Sequence, residues 1–119
     1  MITTDTDKEN PNRLFLAVWQ DAGSFSHSIC YIDVNEAQPK MVRMSSVNTS
    51  GGHRDGRIEN AQFCNPSQIY CDADGNIFVA DCGNHCIRRI TTEGMVETVL
   101  GIPGVSGWRD GGKLLQLVV

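Results

Sequence analysis

The sequence predicts an all-β chain built from a repeated four-stranded unit, and three observations carry that prediction. The run "GHRDG" at Gly52 to Gly56 returns as "GWRDG" at Gly107 to Gly111. Between the two copies lie four short apolar stretches separated by Gly, Asp, Asn and Ser, the grammar of strands and turns. Nowhere does a 3.6-residue apolar period persist over a dozen residues, so no long helix is expected. A four-stranded unit that recurs along a chain is the sequence sign of a β-propeller.

Residues 1–12, rich in Thr, Asp and Asn around Lys8 and Glu9, read as a disordered tail. "RLFLAV", "SICYIDV" and "KMVRMSS" follow within residues 13–47 and match the second, third and fourth strands of a unit. Ile29 and Ile32 take the places of Ile87 and Ile90, and Met41-Val42 those of Met95-Val96. Residues 48–103 hold the complete unit with its preceding loop: "SQIYCD", "NIFVAD", "CIRRIT" and "MVETVLG". Asp74-Gly75 supplies a two-residue hairpin turn after the first of these strands, and Glu93-Gly94 turns the third into the fourth. Residues 104–119 open a third repeat that is cut short. The expected architecture is a partial β-propeller of about two four-stranded antiparallel blades, truncated or fragmentary.

"FCNPSQIYCDADGNIFVADCGNHCIRRITTEGMVETVLG", Phe63 to Gly101, resembles an NHL repeat. That pattern runs Pro, strand, Asp-x-x-Gly-Asn, an apolar strand ending Val-Ala-Asp, Asn-His, Ile-Arg, then Gly-x-Val-x-Thr. The likeness is weaker over Arg13 to Ser46 and absent from the tail. It implies a propeller that serves as an interaction platform for protein or RNA. A few relatives of that fold are secreted lyases or hydrolases.

The totals narrow the classes. The 119 residues, 40% hydrophobic and 20% charged, are those of one small globular domain. A net charge of -4 argues against broad attraction to nucleic acid or anionic membrane. No apolar run approaches the ~18 residues that cross a bilayer, and "MITTDTDKENPNR" lacks the apolar core of a signal peptide. A cytoplasmic protein is expected, with its five cysteines as reduced thiols.

Three motifs invite chemistry and do not sustain it. "DADGNIFVADCG" opens like an EF-hand, but its glycine comes fourth rather than sixth, and its twelfth residue is Gly83 rather than a bidentate glutamate. Cys82, His85 and Cys86 lie close together, yet Cys64 and Cys71 are too far apart to make the second ligand pair that structural zinc favours. Zinc and a Cys82–Cys86 disulfide are the disfavoured alternatives for these thiols. "HRD" at His53 to Asp55 has Asn60 at kinase spacing, but no glycine-rich loop, strand lysine or Asp-Phe-Gly accompanies it. No metal and no cofactor are assigned. Arg88 and Arg89 point to opposite faces of their strand, and one is expected to pair with a carboxylate such as Asp81 rather than with RNA phosphate.

Strand "NIFVAD" is apolar on both faces, Ile77 and Val79 on one and Phe78 and Ala80 on the other, so it needs cover from both directions. Fewer than two blades cannot close a ring that typically has about four to eight. A fragment of a longer chain, a ring-forming homo-oligomer and a truncated gene product all remain open. Head-to-tail assembly would have to supply the first strand of the N-terminal unit from another chain, and that strand would begin beyond Val119. A truncated propeller is therefore favoured, with "KLLQLVV" as a sticky edge.

Meander parity puts the second-to-third-strand loops and the links between blades on one face. That face carries His53, Arg54, Arg57, Asn84, His85, Trp108 and Arg109, an aromatic among cations, the composition of a binding hot spot. Asp55 and Asp110 are alternatively mere braces of their loops. The expected function is a non-catalytic module that binds protein or peptide. The alternatives are RNA binding on the same face, or a fragment of a propeller-fold lyase or hydrolase. The latter would use a metal or carboxylates at the channel, where this chain offers Gln68, Tyr70 and Asp72 but no histidine.

Overall fold

A computed structural model describes residues 2–7, 10–20, 22–47 and 50–101, with residues 2–4 as backbone only. The opening of the third repeat and the "KLLQLVV" run lie outside the described residues. Two antiparallel sheets account for the rest, a partial β-propeller of two blades.

The first blade is a meander of β1 (Ile2–Thr6), β2 (Arg13–Val18), β3 (Ser28–Asp33) and β4 (Val42–Arg43), in that spatial order. The second blade runs β6 (Pro66–Cys71), β7 (Ile77–Asp81), β8 (Cys86–Ile90) and β9 (Met95–Gly101), with the short β5 (Gly56–Arg57) added outside β9.

Two expectations are corrected here. Residues 1–12 are not simply a disordered tail, because β1 pairs along β2 from Ile2↔Val18 to Thr6↔Leu14. Ile and Thr are β-branched, and their strand preference outweighs the polarity that suggested disorder. The N-terminal blade is thus complete without a strand borrowed from another chain. The Asp74-Gly75 turn is also longer than two residues. Among its described residues only Gly75 has positive φ, at 89°. The Asp72 carboxylate caps the amides of Asp74 and Asn76 at 3.0 and 2.8 Å, which holds the loop.

The blades pack face to face, with β1 and β2 against β6. Phe15, Ala17 and Ile29 from the first blade meet Phe63, Ile69, Ile77, Val79 and Ile90 from the second in one core. Near its edge the Cys71 amide donates to Asp5 Oδ2 at 2.7 Å, tying the two innermost strands together. By strand alternation Tyr70, Phe78 and Ala80 face away from this core, as the two-sided apolar pattern of β7 implies. Tyr70 is 41% exposed. On the far side of the first blade Leu16, Val18 and Cys30 form a second cluster with Phe25, Ile32 and Met41.

The same positions carry different chemistry in the two blades. Register pairs Val18 with Ser28 in one and Asp81 with Cys86 in the other, so Val18 stands where Asp81 does. Two residues further along β3 and β8, Cys30 stands where Arg88 does. One blade uses an apolar pair at the spot where the other buries an ion pair.

Candidate interaction face

The second blade's outer loops are organised by Arg88. Its side chain is 0% exposed, and every N–H of its guanidinium has an acceptor. Nη1 donates to Asp81 Oδ2 at 2.7 Å and to the Gln62 carbonyl at 2.9 Å. Nη2 donates to the Arg54 carbonyl at 2.8 Å and to Asp55 Oδ1 at 2.9 Å, and Nε also reaches Asp55 Oδ1 at 3.1 Å. The ring of Phe63 lies beneath, 4.5 Å from the guanidinium carbon.

Asp81 is equally buried and gathers the other loop. Its Oδ1 accepts from the Cys64 amide at 2.8 Å, and its Oδ2 accepts from Asn84 Nδ2 at 2.7 Å. Burial pushes the Asp81 carboxyl up, while Asn84, the Cys64 amide and Arg88 all favour its charged form. Asp55 accepts from the Thr98 amide and hydroxyl at 3.2 and 3.0 Å, fixing the loop to β9. The predicted Arg88–Asp81 pair is therefore present, and Asp55 is a brace. Arg89 on the other strand face pairs with Glu97.

These bonds bring the segments 51–65 and 82–85 onto one face, as parity required. The Gly83 amide donates to the Cys64 carbonyl at 2.8 Å, and Asn84 Nδ2 donates to the Gly52 carbonyl at 2.9 Å. A Cβ at Gly83 would sit 2.5 Å from the Cys64 carbonyl oxygen, so only glycine permits this approach.

Of the expected face residues, Arg54 and Arg57 are exposed, and His53 and His85 are half-buried. Arg54 makes no side-chain ion pair among the described residues, whereas Arg57 Nε reaches Glu59 at 2.6 Å. Asn84 is buried, and both of its side-chain bonds hold the loop from inside. It is removed from the contact set for that reason. Trp108 and Arg109 lie outside the described residues.

His27 joins this face, and the sequence analysis does not single it out. Like His85 it has positive φ, 54° against 55°, at the residue before its third strand. Its Nδ1 accepts from the Asn65 amide at 3.0 Å, and Asn65 Oδ1 accepts from the Gln20 amide at 3.1 Å, which brings the first blade's loop onto the same face. The shared spacing of "HSIC" and "HCIR" before the aligned isoleucines is the available signal.

His53 Nε2 lies 2.9 Å from Thr98 Oγ1. Burial and then Arg88 hold its ring below the usual histidine range, with Asp55 and Asp81 opposing. Above about pH 6.5 both folded and unfolded chains keep this ring neutral. As the pH falls further the unfolded chain binds a proton that the fold resists, so stability declines. Urea midpoints at pH 7.5 and 5.5 are expected to differ less in His53→Gln than in the parent.

All five cysteines are free thiols. Cys82 Sγ faces Ser67 Oγ at 2.7 Å, and burial pushes the Cys86 thiol up to about 12. Among the described residues no group of three or more His, Cys, Asp and Glu is placed to hold a metal ion. At the channel strand, Asp72 is committed to its turn. A cleft of about 230 Å³ opens between the blades on the opposite face, beside Arg13, Phe15, Met44 and Ile77. Arg13 there is already bound to Asp33 at 2.8 Å, so the loop face is the better candidate. No described helix is long and apolar enough to cross a membrane.

Comparison with known proteins agrees with this geometry. Residues 63–90 match the NHL repeat. The fold is similar to that of an auxiliary nutrient binding protein from Bacteroides thetaiotaomicron VPI-5482, with a TM-score of 0.63 and 20% identity over 84% of this chain. A second, an auxiliary nutrient binding protein from Bacteroides ovatus ATCC 8483, gives 0.60 and 19% over 76%. The chain spans 25% and 23% of their lengths, about a quarter. No curated protein sequence matches it.

Proposed function

The chain carries an NHL repeat within a two-bladed sector of a β-propeller, and from that premise we propose that it is a non-catalytic binding module for acidic protein or peptide segments. The contact residues are Arg54, Arg57, His53 and His85, with Trp108 and Arg109 from the following repeat. One observation carries the reading: the saturated Arg88 holds the backbone of Arg54 through its carbonyl, while the Arg54 side chain stands exposed and unpaired among the described residues. An uncompensated guanidinium on a fixed stretch of backbone is suited to a carboxylate, which it binds with two parallel hydrogen bonds. Arg57 can join it, because its exposed pair with Glu59 is worth little in water.

The two similar structures are described as nutrient binding proteins, and their likeness to this chain is one of fold. RNA is the weaker reading. Arg88, the strand cation that could have met phosphate, is wholly internal, and the net charge is -4.

Fluorescence anisotropy with a short Glu- and Asp-rich peptide, a neutral peptide and a single-stranded RNA tests the proposal. The acidic peptide is expected to bind best, and Arg54→Glu with Arg57→Glu to weaken it by about tenfold or more. Equal binding of acidic and neutral peptides would overturn it. Preferential RNA binding with a steep salt dependence would replace it with the RNA reading.

A further inference from the structure

The cleft of about 230 Å³ between the blades, on the side away from the loop face, has an apolar floor. Phe15 of the first blade and Ile77 and Ile90 of the second form it, all three buried, with the partly buried Met44 beside them. A dry apolar cavity of about 150 Å³ is enough to hold benzene. This cleft therefore has room for a ring or a short branched chain. Its walls come from two packed sheets, a setting in which small-molecule sites are largely preformed.

The rim is polar and carries an excess of negative charge. The turns after β1, β6 and β8 frame it, through Asp7, through Gly75, and through Thr91, Thr92 and Gly94. Asp7 contributes a carboxylate directly. Asp74 is the chain neighbour of Gly75, and Glu93 lies between Thr92 and Gly94. Both are exposed, and neither belongs to an ion pair among the described residues. Asp72, held by the amides of its own turn, adds a further carboxylate on that side. The described cation at this rim is Arg13, and its charge is already balanced. Its Nε and Nη2 donate to Asp33 at 2.8 and 3.2 Å, and its guanidinium carbon lies 4.1 Å from the Tyr31 ring.

An apolar floor beneath a rim with unpaired carboxylates selects a ligand of the opposite pattern. An apolar carboxylate would be repelled by Asp74 and Glu93, and a neutral apolar molecule would gain nothing from them. A protonated amine suits both parts. Its three donors find acceptors in the hydroxyls of Thr91 and Thr92 and in the Asp7 carboxylate, which can accept several hydrogen bonds at once.

We propose that the cleft between the blades binds a small apolar amine, with its ring or branched chain on Phe15, Ile77 and Ile90 and its ammonium group at the acidic rim. The site lies opposite the loop face and does not depend on the peptide-binding reading.

Isoleucine methyl NMR on the whole chain tests this, with phenethylamine as the probe beside phenethyl alcohol and hydrocinnamate. The amine is expected to shift the methyls of Ile77 and Ile90 and to saturate at about 0.1–1 mM, as suits a ligand of about ten heavy atoms. The alcohol is expected to bind about tenfold more weakly and the carboxylate more weakly still, a difference that narrows as salt is raised. Asp74→Lys with Glu93→Lys is expected to bring the amine down to the level of the alcohol. Met44→Trp, which fills the side of the cleft, is expected to abolish binding. If that variant melts early, the methyl shifts of the parent still locate the probe. Equal binding of the three probes, shifts confined to other methyls, an unchanged amine affinity in the double variant, or no binding up to about 10 mM would each overturn the proposal. A lysine peptide that displaces the amine at lower concentration would overturn its assignment to a small molecule.

Discussion

Arg88→Met is expected to lower the free energy of unfolding by about 3–5 kcal/mol, the usual effect of removing one partner from a buried ion pair. Asp81, itself 0% exposed, would be left with only the Asn84 and Cys64 donors beside it. The carbonyls of Arg54 and Gln62 would each lose one donor, keeping only the backbone bond that each accepts from the other's amide. A small domain has roughly 5–15 kcal/mol in total, so this one change removes a large share. The loss is measured from urea midpoints at constant slope. Amide exchange is expected to rise first across residues 52–62, because Arg88 is what fastens that segment to β8. A loss below about 1 kcal/mol would show that the segment is held by other contacts. The neighbouring blade shows that Val18 and Cys30 occupy the equivalent positions without any charge. Arg88 is therefore explained by the loop it positions, and its ion pair is not a requirement of blade packing.

Phe63→Ala is expected to cost about 3–5 kcal/mol, for a different reason. The ring is fully buried in the core between the blades and also lies under the Arg88 guanidinium at 4.5 Å. Truncation opens a cavity that the flanking strands cannot readily collapse into, and it removes the aromatic face from the cation. Because the two residues touch, the double variant is expected to lose less than the sum of the singles, by about 0.5–3 kcal/mol. Additive losses would mean that ring and guanidinium stabilise the blade independently.

The strands are unequally legible in the sequence. β2 and β9 run as expected, Arg13 to Val18 and Met95 to Gly101, because each is a mostly apolar stretch bounded by turn residues. β4 is only Val42–Arg43, shorter than "KMVRMSS" suggests. Beyond it the amides of Met44 and Ser45 both turn to the Ile29 carbonyl, which ends the regular ladder. In β1 the polarity of the segment hides the preference of its β-branched residues, and β5, which contains a glycine, has no signal of its own. Both exist because a neighbouring strand edge is available to pair with them.

The candidate face divides along the same line. Asp81 is legible as a partner for Arg88, since the ends of adjacent antiparallel strands must meet. Asn84 reads as a surface contact, but its short amide sits between Asp81 and Gly52 and faces inward. His27 escapes notice because its loop differs in length from that of His85.

The sequence alone determined the repeat, the propeller class and the face on which the connecting loops gather. These follow from periodicity and strand parity, which are local properties of a chain. Tertiary structure decided the completeness of the first blade, which cations are spent inside the fold, and which remain outside. Each of those depends on whether an acceptor lies within hydrogen-bonding distance, and partners such as Asp55 and Arg88 become neighbours only when the blades form.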